Sequence, residues 1–313
     1  MSSAPTFSSG QKLAGNAVIA LGVSVWATHF LVTDVLLQTW DPYFITAARL
    51  LSGTMFLMIA YGFATQGHPL RHIPWKAALL LGVVGISGST VFLTLGVKYA
   101  GPVPAAIVSA ASPIVAAFVA RVGFRIPLTF AVLLGAAVAM AGGVFAALGS
   151  GDGDVGGFRG GELMILLAIT IFTWYSIGAQ RWLSSISQLG ITAITIMIGG
   201  LSMLVALPLL VGLGIAEARY SFDWESLGYI LFLGAGPASF ALFTWHWGIS
   251  RIGVTVGSIY SNLAPVVVVI IRMIQGEPPT IDHLIGGLLI ITGVFIAQLL
   301  PSGHGRKRLE ETP

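Results

Sequence analysis

A chain of 313 residues that is 56% hydrophobic and only 9% charged cannot present an ordinary aqueous surface, since soluble domains carry roughly 25% charged residues. Its net charge of +3 comes from scattered bases whose one tight run is Arg306, Lys307 and Arg308, a pattern that suits a membrane anchor and argues against a nucleic-acid surface. With no cysteine there is neither a disulfide framework nor a thiolate metal site, and a mean hydropathy of +0.91 points to the bilayer as solvent.

About 20 mainly apolar residues cross roughly 30 Å of hydrocarbon, and ten segments reach that length. The first, 13–35, lacks a basic n-region before it and reads as a retained helix carrying Trp26 and His29. Span 2 (42–64) holds Arg49 roughly seven residues in, about 10 Å below its outer end at about 1.5 Å per residue. Span 3 is 75–97, and span 4 (102–120) contains Pro113. Span 5 (128–148) places Ala131, Gly135, Ala139, Gly143 and Ala147 at every fourth position, a stripe for close helix packing. Residues 149–160 (GSGDGDVGGFRG) form a flexible joint. Span 6 (161–181) carries Trp174 and Tyr175, span 7 is 190–213, and span 8 (226–247) carries His246. Span 9 (253–272) carries Tyr260, Asn262 and Pro265; span 10 is 283–300, and 301–313 is a polar tail.

With the N-terminus inside, ten bases fall on the cytoplasmic side and four outside, so both termini are expected in the cytoplasm. Residues 82–127 align without gaps on 234–279, pairing Gly82/Gly234, Ser87/Ser239, Gly96/Gly248, Gly101/Gly253, Ser109/Ser261, Pro113/Pro265 and Pro127/Pro279 at an offset of 152. Coincident Gly and Pro are hard to ascribe to apolar composition, because each marks a special backbone position. Upstream, Trp26 pairs with Trp174 at a slightly different offset. Five spans per half invert the second half relative to the first: 13–148 and 161–300 become two inverted five-helix repeats of an all-α polytopic membrane protein. That architecture belongs to secondary transporters, whose site lies near the bilayer midplane between the repeats.

The motifs resemble the drug/metabolite transporter superfamily, in its form with two tandem EamA domains. The resemblance rests on Trp26, on Arg49 after Pro42, on Leu95–Gly96, Gly101 and Ser112–Pro113–Ile114–Val115, and on Trp247–Gly248–Ile249–Ser250–Arg251–Ile252–Gly253 with Ala264–Pro265–Val266. It continues through Gly276–Glu277–Pro278–Pro279–Thr280 and Gly286–Gly287, whereas the first half has Phe124–Arg125–Ile126–Pro127–Leu128 where a Gly-Glu turn is expected. The resemblance implies export of amino acids, with aromatic ones as a branch, across a bacterial inner (plasma) membrane. Multidrug or other metabolite transport is the alternative within the superfamily.

Candidate residues follow from chemistry. Pro113 and Pro265 each free a carbonyl, on Ser109 and Ser261, and read as gating points or as plain kinks. Arg49 is either a bidentate fork for a substrate carboxylate or a clamp on backbone carbonyls or Asp34; the resemblance favours the clamp, since the family places Arg here whatever the solute. His29 and His246 are proton-relay or solute-binding candidates against ordinary packing residues. Trp26 and Trp174 are candidate cavity walls, with Tyr175, Tyr260 and Asn262 as further solute contacts. No His or carboxylate cluster has metal-ligand spacing, and no cofactor motif is present. A membrane-embedded enzyme would need a nucleophile, an acid/base pair or a metal cluster, and the sequence lacks H-E-x-x-H, G-x-S-x-G and a buried carboxylate pair. The absence of a deep acid also argues against exchange of protons for hydrophobic cations, leaving facilitated or histidine-linked transport. The implied partners are a small-molecule solute and the lipid bilayer; oligomeric state is not legible.

Overall fold

Backbone polar groups in an apolar medium must be satisfied within the chain, which favours helices. The computed structural model, describing residues 9–65, 73–126, 128–148, 160–274 and 281–299, has helix as its regular structure throughout those residues. In chain order, α1 (Ser9–Ala27) and α2 (His29–Leu37) form one rod interrupted at Thr28, followed by α3 (Pro42–Thr65). Then α4 (Trp75–Leu80) passes through a π-helical stretch, Leu81–Gly88, into α5 (Ser89–Ala100). After α6 (Pro102–Ser109), α7 (Ser112–Phe124) and α8 (Phe130–Leu148) come α9 (Gly161–Trp182) and α10 (Gln188–Gly212). A second π-helical stretch, Gly234–Ala241, joins α11 (Trp224–Leu233) to α12 (Leu242–Ile252). Finally α13 (Val254–Ile259) turns through Tyr260–Asn262 into α14 (Leu263–Ile274), and α15 is Ile281–Leu299.

Among the described residues, six stretches are long and apolar enough to cross a membrane: Gly10–Leu37, Pro42–Ala64, Trp75–Ala100, Gly161–Trp182, Gln188–Gly212 and Trp224–Ile252. They coincide with predicted spans 1, 2, 3, 6, 7 and 8. Predicted spans 4, 5, 9 and 10 fall on α6–α7, α8, α13–α14 and α15, and the first and third of these are broken near their middles. The linker 149–159, the tail 301–313, the motif Gly276–Thr280 and Pro127 lie outside the described residues, as does the side chain of Pro265.

The breaks have local causes. Pro113 stands at the second position of α7, and the Ser109 carbonyl accepts instead from the Ser112 hydroxyl at 2.6 Å. In the later counterpart, Asn262 donates from Nδ2 to the Ile259 carbonyl at 3.1 Å, and Pro265 lies in the first turn of α14. The two π stretches share another device. A widened turn leaves a carbonyl without its usual donor, and the hydroxyl five residues on supplies one: Ser87 to Gly82 at 3.3 Å and Ser239 to Gly234 at 2.7 Å. Each hydroxyl also reaches a neighbouring helix, Ser87 the Gly199 carbonyl at 2.8 Å and Ser239 the Gly53 carbonyl at 3.0 Å.

These contacts recur in a fixed register. Gly96 lies on the Ile165 side chain and the Gly161 carbonyl, and Gly248 lies on the Ile19 side chain and the Gly15 carbonyl. So α5 crosses α9 as α12 crosses α1, and residues of the first two rods answer to those of α9 and α10 at an offset of 146 (15/161, 19/165, 53/199). Gly101 and Gly253, with φ of 85° and 83°, turn the chain at equivalent corners, a conformation costly to any residue with a Cβ. The predicted stripe on span 5 packs on α15, where Gly135 and Ala139 meet Gly293 and Ala297.

Candidate functional site

A cavity of about 110 Å³ opens where α1, α3, α5, α9, α10, α12 and the two π stretches converge. At roughly 10–15 Å³ per water-sized sphere it holds about seven to eleven water-sized groups, the bulk of a small metabolite. Its walls are paired in the same registers as the crossings. At offset 146 stand Gly22/Ala168, Val23/Ile169, Trp26/Phe172 and Leu50/Ile196; at offset 152 stand Ile86/Ala238, Ser89/Ala241, Thr90/Leu242 and Leu93/Trp245. The cavity is thus walled in large part by answering positions of the two halves.

The aromatic wall is Trp26, Phe172 and Trp245. Phe172 tilts against Trp245 with centroids 5.7 Å apart, and Trp26 stands edge-on to Phe30 at 5.2 Å. The Trp245 indole N–H donates to the Ser176 hydroxyl at 3.0 Å, which fixes the ring. Hydroxyls supply most of the polar lining. Ser89, Ser112 and Ser258 donate their protons to the carbonyls of Gly85, Ser109 and Thr255. The one charged lining residue described is Arg49. It is only 4% exposed, and its Nε and Nη1 have no hydrogen-bond partner among the described residues. Those two nitrogens therefore meet neither the backbone carbonyls nor the Asp34 carboxylate that a structural clamp would use.

Of the other residues singled out by sequence, Trp26 and Ser261 line the cavity, and the rest stand away from its described lining. His29, fully buried, packs its ring 4.8 Å from Trp26. Its Nδ1 lies 2.8 Å from the Trp26 carbonyl; a carbonyl only accepts, so Nδ1 carries the proton. His246, also fully buried, has Nδ1 2.8 Å from the Thr192 hydroxyl. Thr192 gives its own proton to the Gln188 carbonyl at 2.8 Å, so His246 is the donor. In both rings Nε2 has no partner among the described residues. Tyr175 is buried behind Phe172 at 5.9 Å. Its hydroxyl bonds Thr195 at 2.8 Å, and Thr195 donates onward to Ile191 at 2.7 Å. Tyr260 belongs to the apolar core around Leu242 and Trp245. Asn262 is fully buried, and its Oδ1 has no partner among the described residues. Pro113 and Pro265 mark the two helix breaks.

One pairing is corrected. Trp174 stands edge-on to Trp182 at 5.6 Å and packs against the buried cluster of Val119, Ala120 and Ile177. The register set by Gly15/Gly161 and Ile19/Ile165 makes Phe172 the counterpart of Trp26, because one residue of slip turns a helical side chain by about 100°. Sequence reasoning also missed Trp245 and the two π stretches. The signal for Phe172 was present in the 146 offset of those glycines.

Comparison with known proteins places this architecture. The model of the EamA-like transporter family matches residues 13–148 and 159–299. An uncharacterized transporter of Bacillus subtilis, YdfC, is 27% identical over 282 residues, covering 90% of this chain and 89% of its own. A probable terminal-alkyne amino-acid exporter of Streptantibioticus cattleyicolor is 25% identical over 297 residues, covering 94% and 96%. A solved crystal structure shares the fold with a TM-score of 0.71 at 24% identity, over 95% of this chain and 99% of that one. With both halves matched, the chain belongs to the EamA-like transporter family.

Proposed function

We propose that the chain is a secondary transporter that moves a small metabolite by alternating access. It is a multi-pass protein of ten spans in two inverted five-helix repeats, set in a bacterial inner membrane with both termini cytoplasmic. The solute is an amino acid, and the direction is export. The observation that carries this reading is the cavity whose walls pair position by position between the two halves of the chain. A site between two answering halves is exposed to one side or the other by rocking the halves around it. The amino-acid reading draws further support from the relative named as an amino-acid exporter and from a cavity of metabolite size. The breaks at Ala110–Ala111 and Tyr260–Asn262 would serve as the gating points, next to Pro113 and Pro265.

Counterflow in proteoliposomes tests it. Saturable uptake of labelled amino acid, accelerated by the unlabelled solute inside, is the expected result. Flux that rises without saturation would make the protein a channel, and no flux of any metabolite would end the transport reading.

A further inference from the structure

The two halves wall the cavity with matching positions but not with matching chemistry. Ser89 and Thr90 of the first half face Ala241 and Leu242 of the second. Arg49 answers in register to Thr195 (offset 146), and His29 to Tyr175. In the second half this pair closes on itself, since Tyr175 donates to Thr195 and Thr195 to the Ile191 carbonyl. In the first half the Nε and Nη1 of Arg49 have no partner among the described residues, in a residue 4% exposed. Arg49 and the hydroxyls of Ser89 and Thr90 line the same cavity. The Thr46 and Thr94 hydroxyls join α3 to α5 at 3.3 Å, and Arg49 and Thr90 each stand about one helical turn from that bond.

We propose, building on the transport reading above, that the cavity binds an amphiphilic monocarboxylate in a single orientation. The carboxylate takes the guanidinium of Arg49, the one charged group described in the lining, beside Ser89 and Thr90, and the apolar body lies on Ala241, Leu242 and Trp245. A buried guanidinium without a counter-charge is a costly state, and a carboxylate that hydrogen-bonds to the edge lining the cavity relieves it. The described lining holds no acidic side chain, so a cationic solute would add a second positive charge to the site. An amino group on the solute is therefore tolerated where a carboxylate accompanies it and is not a recognition element by itself.

The test uses the purified full chain in nanodiscs, with Trp26 and Trp245 in the lining as fluorescent reporters of binding. The probes share one apolar body: 4-methylpentanoate, L-leucine, L-leucine methyl ester and isoamylamine. The two carboxylates are expected to bind, and the ester and amine to bind at least about tenfold more weakly, the worth of a lost charged hydrogen bond. Arg49→Gln should remove that preference, and Arg49→Lys should keep part of it. Ester or amine binding as tight as the acids overturns the proposal, as does failure of both carboxylates to bind at millimolar concentration. Because the wild-type comparison of acid with ester needs no variant, misfolding of Arg49→Gln leaves the test intact. Proteoliposome flux separates the two readings: binding of acids without counterflow sinks the carrier alone, and counterflow of the amine sinks the carboxylate class alone.

Discussion

The crossing of α8 on α15 offers a quantitative check on the packing. Gly135 and Gly293 lie against each other's carbonyls, so neither helix has a flexible side chain to yield. A Cβ on Gly135 would sit 2.8 Å from the backbone nitrogen and from the Cβ of Ala297, and nearer still to the Gly293 carbonyl. Ordinary contact begins at 3.4 Å, so Gly135→Ala must separate two backbones. Overpacking of this kind costs roughly 1–3 kcal/mol, with the upper end expected where only backbone can move. Alanine recovers about 1 kcal/mol of helix propensity, leaving a net loss of about 2 kcal/mol. Gly62 of α3 is the control, because a Cβ there meets nothing within 4 Å, and Gly62→Ala should gain about 1 kcal/mol from propensity alone. Reversible unfolding of both variants in mixed micelles should separate them by about 3 kcal/mol. Equal stability of the two variants would refute the close backbone approach.

Ser239→Ala removes the hydroxyl shared by the Gly234 and Gly53 carbonyls and should cost about 1–3 kcal/mol in the same unfolding assay, whereas a neutral result would mean the π stretch does not need it. Trp26→Ala and Phe172→Ala should each lower counterflow on the order of tenfold at unchanged membrane expression, while Trp174→Ala keeps it; the reverse pattern would restore the Trp26/Trp174 pairing. His246→Gln should leave the pH profile of transport unchanged, because the ring stands away from the described lining and its Nδ1–H is committed to Thr192. A shifted profile would bring that histidine into the transport cycle.

Backbone-determined features were legible from sequence. Glycine and proline report directly on close approach, corners and breaks, so Gly96/Gly248, Gly101/Gly253 and the stripe around Gly135 appeared in sequence before any contact was known. Side-chain direction was far less legible. In a soluble helix the polar face shows which way a residue points, but α1 and α9 are apolar nearly all round. A two-residue slip therefore passed unnoticed, and Trp174 stood in for Phe172. The π stretches were equally silent, since a Gly and a Ser five apart also occur in ordinary helices. Arg49 was visible as a buried charge, yet the choice between clamp and fork depended on whether carbonyls or Asp34 reach its nitrogens, a matter of three-dimensional neighbours.

Specificity in a chain built from answering halves is to be sought where the halves differ. Positions that match in both halves, such as Gly22/Ala168 or Leu50/Ile196, must satisfy one packing requirement twice and have little freedom to recognise a solute that has no twofold symmetry. An amphiphilic molecule needs unlike ends, so its contacts fall on pairs that disagree in chemistry. Here those pairs are Ser89/Ala241 and Thr90/Leu242 on the wall, and Arg49/Thr195, of which Arg49 lines the cavity. Exchanging one of them tests the principle. Ser89→Ala with Ala241→Ser moves a hydroxyl from the wall of one half to that of the other at nearly constant volume, so folding should be little affected. If the Ser89 hydroxyl turns from the Gly85 carbonyl to the bound carboxylate, the preference for acid over ester should then weaken even though Arg49 is untouched. A preference unchanged by the exchange would assign recognition to Arg49 alone and make the hydroxyls bystanders.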